Sequence, residues 1–164
     1  MRSWHVVQRG PIGLALGFLF GPALDTKLPA ALPGWSIVTC VDGSPPITQA
    51  ELASARASVG ASKGTPTGLM GWSAGCQPVR TILETNMLGG DPAFVACFDG
   101  THAGLPPKPG QIEVWAEVMK AARAGRYPAI FTCTSMGYVE KLPANQAYMS
   151  AQYVLERAAG FEAL

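Results

Sequence analysis

The chain is short of charge, of histidine and of any long apolar run. Asp, Glu, Lys and Arg make up 14% of its 164 residues and nearly cancel, at +1. No basic field of the kind that draws nucleic acid follows from that balance, so nucleic acid is not an expected partner. With 48% hydrophobic residues, the same scarcity of charge excludes a mainly disordered chain. The length suits one domain with a real core. Only His5 and His102 are available for imidazole chemistry. The four cysteines include no C-x-x-C pair, which argues against a structural zinc. Cys40, Cys97 and Cys133 each lie in strand-like apolar stretches, where a thiol behaves as a small hydrophobe, so they do not read as a disulfide framework. Neither G-x-x-x-x-G-K-[ST] nor a G-x-G-x-x-G after a strand is present, and no cofactor is expected.

The longest apolar stretch, Pro11 to Leu24, reads PIGLALGFLFGPAL after Arg2 and Arg9. It has the length of a signal h-region but falls below the ~20 apolar residues of a membrane span. The favoured reading is an apolar arm, or a first strand with a loop-helix, over residues 1–34, packed on a sheet with Gly13, Gly17 and Gly21 allowing close approach. Membrane contact by residues 11–24 is the less favoured reading, and an arm docking on a partner subunit is a third.

From Trp35 onward, apolar strand-like runs alternate with helical periodicity. Strands are expected at Ser36–Val41, Thr67–Trp72, Ala93–Phe98 and Ala129–Cys133. Thr48-Gln49-Ala50-Glu51 is a capping box, so a helix is expected from there to about Val59. Further helices are expected over Ala74–Met87, over Gln111–Ala124 with Gly125 as its stop, and from Asn145 to about Ala159 before Gly160. This order predicts an α/β fold, a three-layer sandwich with a mainly parallel sheet of about four to five strands over residues 35–164. Sites in such sheets lie at the carboxyl ends of the strands. Four loops then converge on one edge: Asp42–Pro46, Ser73, Asp99–Gly104 and Thr134–Tyr138.

The sharpest motif in those loops is Gly71-Trp72-Ser73-Ala74-Gly75, G-x-S-x-G between an expected strand and an expected helix. Such a turn exposes the serine oxygen and aims a helix N-terminus at developing negative charge. A serine needs a base. His102 is the expected one, because His5 lies at the extreme N-terminus in a strand-like run. Asp99, three residues before His102, can orient the imidazole. Ala74 offers one oxyanion-hole amide, and Gly43 or Ser44 the other. Thr134 and Ser135 read as strand-end polarity, and Glu140 is a fallback acid. Asp42, Asp99 and His102 form the one O/N set a metal could use, a weaker reading than metal-free catalysis. Trp72, Trp115, Tyr148 and Tyr153 read as core.

The pentapeptide and the strand–helix order from about Trp35 resemble the nucleophile elbow of the α/β-hydrolase family. The resemblance implies a trimmed α/β-hydrolase fold and a serine esterase or amidase, with Ser73 as nucleophile. The D-x-x-H spacing of Asp99 and His102 is similar to that of the SGNH hydrolases, although that family's early G-D-S block is missing. The α/β-hydrolase pattern places its histidine after the last strand, and no histidine follows residue 102. The substrate implied is a small or polymeric ester or amide at a shallow site. A non-catalytic structural or interaction protein on the same scaffold is the alternative. The segments SAGCQPVR and DGTHAG faintly resemble uncharacterised phage-encoded proteins, which would make the chain a virion decoration or tail accessory component. Free thiols favour a reducing cytoplasm or a virion over secretion.

Overall fold

The computed structural model describes residues 2–42, 46–133, 139–141 and 147–160. The strands are β1 (His5–Gln8), β2 (Leu14–Phe18), β3 (Ser36–Cys40), β4 (Thr67–Trp72), β5 (Val95–Phe98), β6 (Ala103–Gly104), β7 (Ala129–Thr132), β8 (Val139–Lys141) and β9 (Ala147–Met149). The helices are α1 (Pro22–Asp25), α2 (Leu28–Ala31), α3 (Gln49–Ala57), α4 (Cys76–Glu84), α5 (Glu113–Arg123) and α6 (Ala151–Ala158). Six strands make the main sheet in the order β1-β3-β2-β4-β5-β7, and β6-β9-β8 make a small second sheet. Within the main sheet β1 alone is antiparallel; the other pairings are parallel.

The fold class matches the expectation, a mixed α/β architecture with a mostly parallel sheet and flanking helices. The strand count is higher than four to five because the glycine-rich 14–18 stretch is itself a strand. It is fully buried between β3 and β4, at the centre of the sheet. Gly13, just before the strand, and Gly17 within it fit that position. A β-carbon at Gly13 would crowd the Trp35 ring, and one at Gly17 would press on Thr39 and Phe20. Antiparallel β1 then closes one edge.

The direction of travel explains how the helices are divided. From β2 the chain moves outward to β3, then reverses through β4, β5 and β7. Right-handed crossovers put the first connection on one face and the later ones on the other. Accordingly Leu24, Leu28 and Leu32, in or beside α1 and α2, pack against Ala15, Ile37 and Met70. The opposite face buries Leu14, Leu16, Phe18, Leu69, Val95 and Cys97 under Leu52 of α3, Val79 and Ile82 of α4, Trp115 of α5 and Val154 of α6. The first of these layers is thin. It leaves Ile130 of β7, register partner of Ala96, 59% exposed.

The capping box forms as the sequence suggests. Thr48 Oγ1 accepts from the Glu51 amide, and the Glu51 carboxylate accepts from the Thr48 amide. The last helix starts later than Asn145. Residues 147–149 pair as β9, and Ser150 caps α6 by accepting from the Tyr153 amide. All four cysteines are free thiols, and Cys133 is exposed where the sequence suggested a buried strand residue. Among the described residues no helix is long and apolar enough to cross a membrane.

Candidate active site

β2 and β4 are neighbours whose following helices leave to opposite faces. The crevice outside their carboxyl ends is therefore the topological switch point, where open α/β sheets hold ligands. Ser73 lies there. β4 ends at Trp72, Ser73–Gly75 make a single 3-10 turn, and α4 begins at Cys76. Ser73 has φ 48°, in the left-handed region that residues with a β-carbon seldom occupy. Among the described residues four non-glycine positions share that conformation, and three of them, Leu19, Ser73 and Asp99, directly follow the adjacent strands β2, β4 and β5. Strain of about 1–3 kcal/mol per residue is thus concentrated at one edge, the pattern that marks functional sites.

Close packing holds the strain in place. A β-carbon at Gly75 would run into the Phe18 carbonyl oxygen at the end of β2, and one at Gly100 would run into the Ser73 carbonyl oxygen and the Cys76 sulfur. Gly71 lets the start of α4 fold back onto β4: a β-carbon there would lie 2.7 Å from the Gly75 oxygen. The Cys76 thiol donates to the Gly71 carbonyl at 3.3 Å. Burial pushes the neighbouring Cys97 thiol well up, and Cys76 beside it adds to that shift. Both side chains are buried and pack beneath the turn. The 3-10 turn runs straight into α4: the Cys76 amide donates back to the Ser73 and Ala74 carbonyls, and Gly75 at the N-cap brings no side-chain cap.

The loop after β5 lies against this turn. The Asp99 amide donates to Thr132 at the end of β7 (2.9 Å), and Gln77 of α4 reaches the Gly100 carbonyl (3.4 Å). Thr101 is fully buried, with its hydroxyl 3.4 Å from the Ala151 carbonyl. Ala103 is buried in β6. His102, half-buried between them, sits on a segment fixed at both ends. Ser73 and the Asp99–His102 loop are therefore brought to one edge through Gly100. Ala74 is exposed on the turn.

Other sequence candidates lie elsewhere. Gly43 and Ser44, and likewise Thr134 and Ser135, lie outside the described residues. β3 is separated from β4 by β2, and the loop after β2, starting at Leu19, lies against the Ser73–Gly75 turn. Unbroken parallel runs looked adjacent in sequence, but the pairing is non-local. Asp42 is exposed after β3. Glu140 is in β8, in register with Tyr148 of the small sheet. Among the described residues no three His, Cys, Asp or Glu side chains gather as a metal site.

Two features were missed by reading along the chain. Trp72 is not core: it is 44% exposed and stacks on Phe98, which meets Phe20 edge-on. These aromatics immediately precede Ser73 and Asp99 and follow Leu19, and they form an apolar shelf beside the strained residues. The period-2 pattern Met70, Trp72 on one face was the available signal. The second feature is His5, whose Nδ1 lies 2.9 Å from Oδ2 of the buried Asp25.

No known protein family matches the chain, and no curated protein does. Among solved structures it is similar to YbtT, a type II thioesterase from the yersiniabactin NRPS/PKS biosynthetic pathway, at 16% identity and a TM-score of 0.44. That likeness covers 62% of this chain and 48% of the thioesterase, so the chain spans about half of that protein's length.

Proposed function

We propose that this protein is a serine hydrolase acting on a small or polymeric ester or amide, with Ser73 as its nucleophile. The single observation that carries the reading is the left-handed φ of Ser73 in a strand–turn–helix at the switch point, locked by glycines on three sides. A strand–turn–helix of this kind is the setting in which a serine nucleophile is carried at the sheet edge.

In this mechanism Ser73 Oγ attacks the substrate carbonyl while His102 takes its proton. The tetrahedral oxyanion is met by the Ala74 amide and by an amide of the Leu19–Gly21 loop. His102 then gives the proton to the departing alcohol or amine. Water, deprotonated by the same imidazole, cleaves the acyl-enzyme and regenerates Ser73. Asp99 orients the imidazole. The Phe20–Phe98–Trp72 shelf suits an apolar acyl or alkyl group lying across the open edge.

The test is labelling with a fluorophosphonate probe, with Ser73→Ala as control. Stoichiometric labelling of the wild type and none of the variant is expected. Folded wild-type protein that stays unlabelled overturns the reading. A second reading, a non-catalytic interaction protein, is favoured by one observation, the exposed Ile130 on the thinly covered sheet face. It predicts no labelling and concentration-dependent sedimentation.

A further inference from the structure

The edge of the sheet opposite Ser73 carries a second feature that the hydrolase reading does not use. Arg56, in the last turn of α3, is 8% exposed. Its Nε is sealed from solvent without a partner. No described residue makes a side-chain hydrogen bond or ion pair with its guanidinium, and the same holds for the exposed Lys63. Both line a cleft of about 420 Å³ between α3 and the α4–β5 turn, together with Gln49, Asn86 and Met87. No carboxylate lines that cleft.

The cost of this arrangement points to a missing partner. Buried guanidinium groups are ordinarily paired, because an unpaired buried charge loses hydration with nothing in return. The C-terminal end of α3 supplies about half a negative charge, which two cations exceed. Burial accordingly pushes the Arg56 guanidinium pKa below its ordinary value. A guanidinium fork matches the two oxygens of a carboxylate or phosphate. Lys63 supplies a second, mobile cation. Gln49 is held in place by its bond to the Met87 carbonyl (3.4 Å). Ala53, Ala57, Ala61 and Met87 give the cleft an apolar wall, so the ligand carries a short apolar body as well as its charge.

We propose that the cleft between α3 and the α4–β5 turn binds a small organic oxyanion, a carboxylate or a phosphate monoester, with Arg56 as the fork and Lys63 as the second cation. The site lies at the amino ends of the strands, away from Ser73, and stands whether or not Ser73 is a nucleophile.

Calorimetric titration of the full chain at low ionic strength, with inorganic phosphate and with butyrate, tests this. Saturable binding of at least one, with Kd of about 1 mM or tighter, is expected. Which of the two binds identifies the ligand class. Arg56→Met, which keeps the packed stem, is expected to weaken binding at least about tenfold. Lys63→Gln, on an exposed side chain, is expected to weaken it about threefold. The proposal is overturned when neither anion binds saturably below about 10 mM, or when Arg56→Met binds as the wild type does. Should Arg56→Met not fold, unchanged affinity in Lys63→Gln overturns it instead.

Discussion

The protein's two histidines stand near the same edge of one sheet in opposite circumstances. His5 has a firm carboxylate partner. Asp25 Oδ2 lies 2.9 Å from its Nδ1 and accepts the Thr39 hydroxyl at 3.1 Å, while the ring itself is largely exposed. It stands far from Ser73. It sits on β1, three strand spacings from β4, roughly 14 Å across the sheet. His102 stands closer to the Ser73 turn along the chain's packing. It lies two residues beyond Gly100, whose backbone packs on the Ser73 carbonyl. Topology separates them: the outermost antiparallel strand keeps His5 away from Ser73, while the loop that carries His102 follows β5, the strand next to β4.

The sharpest way to break this comparison is to remove each ring in turn. His102→Ala is expected to lower fluorophosphonate labelling rate, and hydrolysis of an activated ester, by roughly 10²- to 10⁴-fold. His5→Ala should stay within about twofold of the wild type. Equal losses in the two variants would remove the distinction. Next in size is backbone fit at the strained edge. Gly100→Ala forces a methyl into the Ser73 carbonyl and is expected to cost about 2–4 kcal/mol in urea unfolding. Gly21→Ala, where a β-carbon would meet nothing within 4 Å, should stay within about 0.5 kcal/mol.

Asp25→Ala addresses the other histidine's surroundings. It leaves the fully buried Thr39 hydroxyl without its acceptor, for an expected loss of about 1–3 kcal/mol with labelling unchanged. The smallest effect concerns the start of β1, which Arg2 ties to α3 through Glu51 (3.0 Å). The Thr48 amide foremost, then the Thr48 hydroxyl and Arg2, hold the Glu51 carboxyl below its ordinary 4.5. A depressed carboxyl contributes stability that is complete above that ordinary value and is lost as pH falls through the folded one. The urea midpoint is therefore expected to decline between about pH 5 and 3, and Glu51→Gln to flatten that decline at a cost of about 1 kcal/mol at neutral pH.

Much of this was legible in the residues. Ser36–Cys40, Thr67–Trp72 and Val95–Phe98 are largely apolar runs, the mark of strands covered on both faces, whereas Ala129–Thr132 at the sheet's edge alternates half-buried and exposed residues. The Ser73 turn was legible because its determinants are local: a strand, two glycines and a helix start. Strand order was not, because parallel pairing joins segments far apart in the chain. Leu14–Phe18 hid for a related reason. Without β-branched residues it reads like a leader segment, yet it is the central strand, with Trp35 packed over Gly13 just before it and Thr39 and Phe20 over Gly17. His5 was passed over because its carboxylate partner is 20 residues away, in a helix that begins with proline.

Trp72 has a further use. Of the four tryptophans it alone is largely open to water, while Trp115 is sealed in the core and Trp4 and Trp35 are half-covered. It is bonded directly to Ser73 and stacked on Phe98, so any molecule settling at this edge changes the polarity around one indole. The protein carries its own optical gauge of occupancy: a quencher such as acrylamide should reach that ring first, and a bound ligand should shield it.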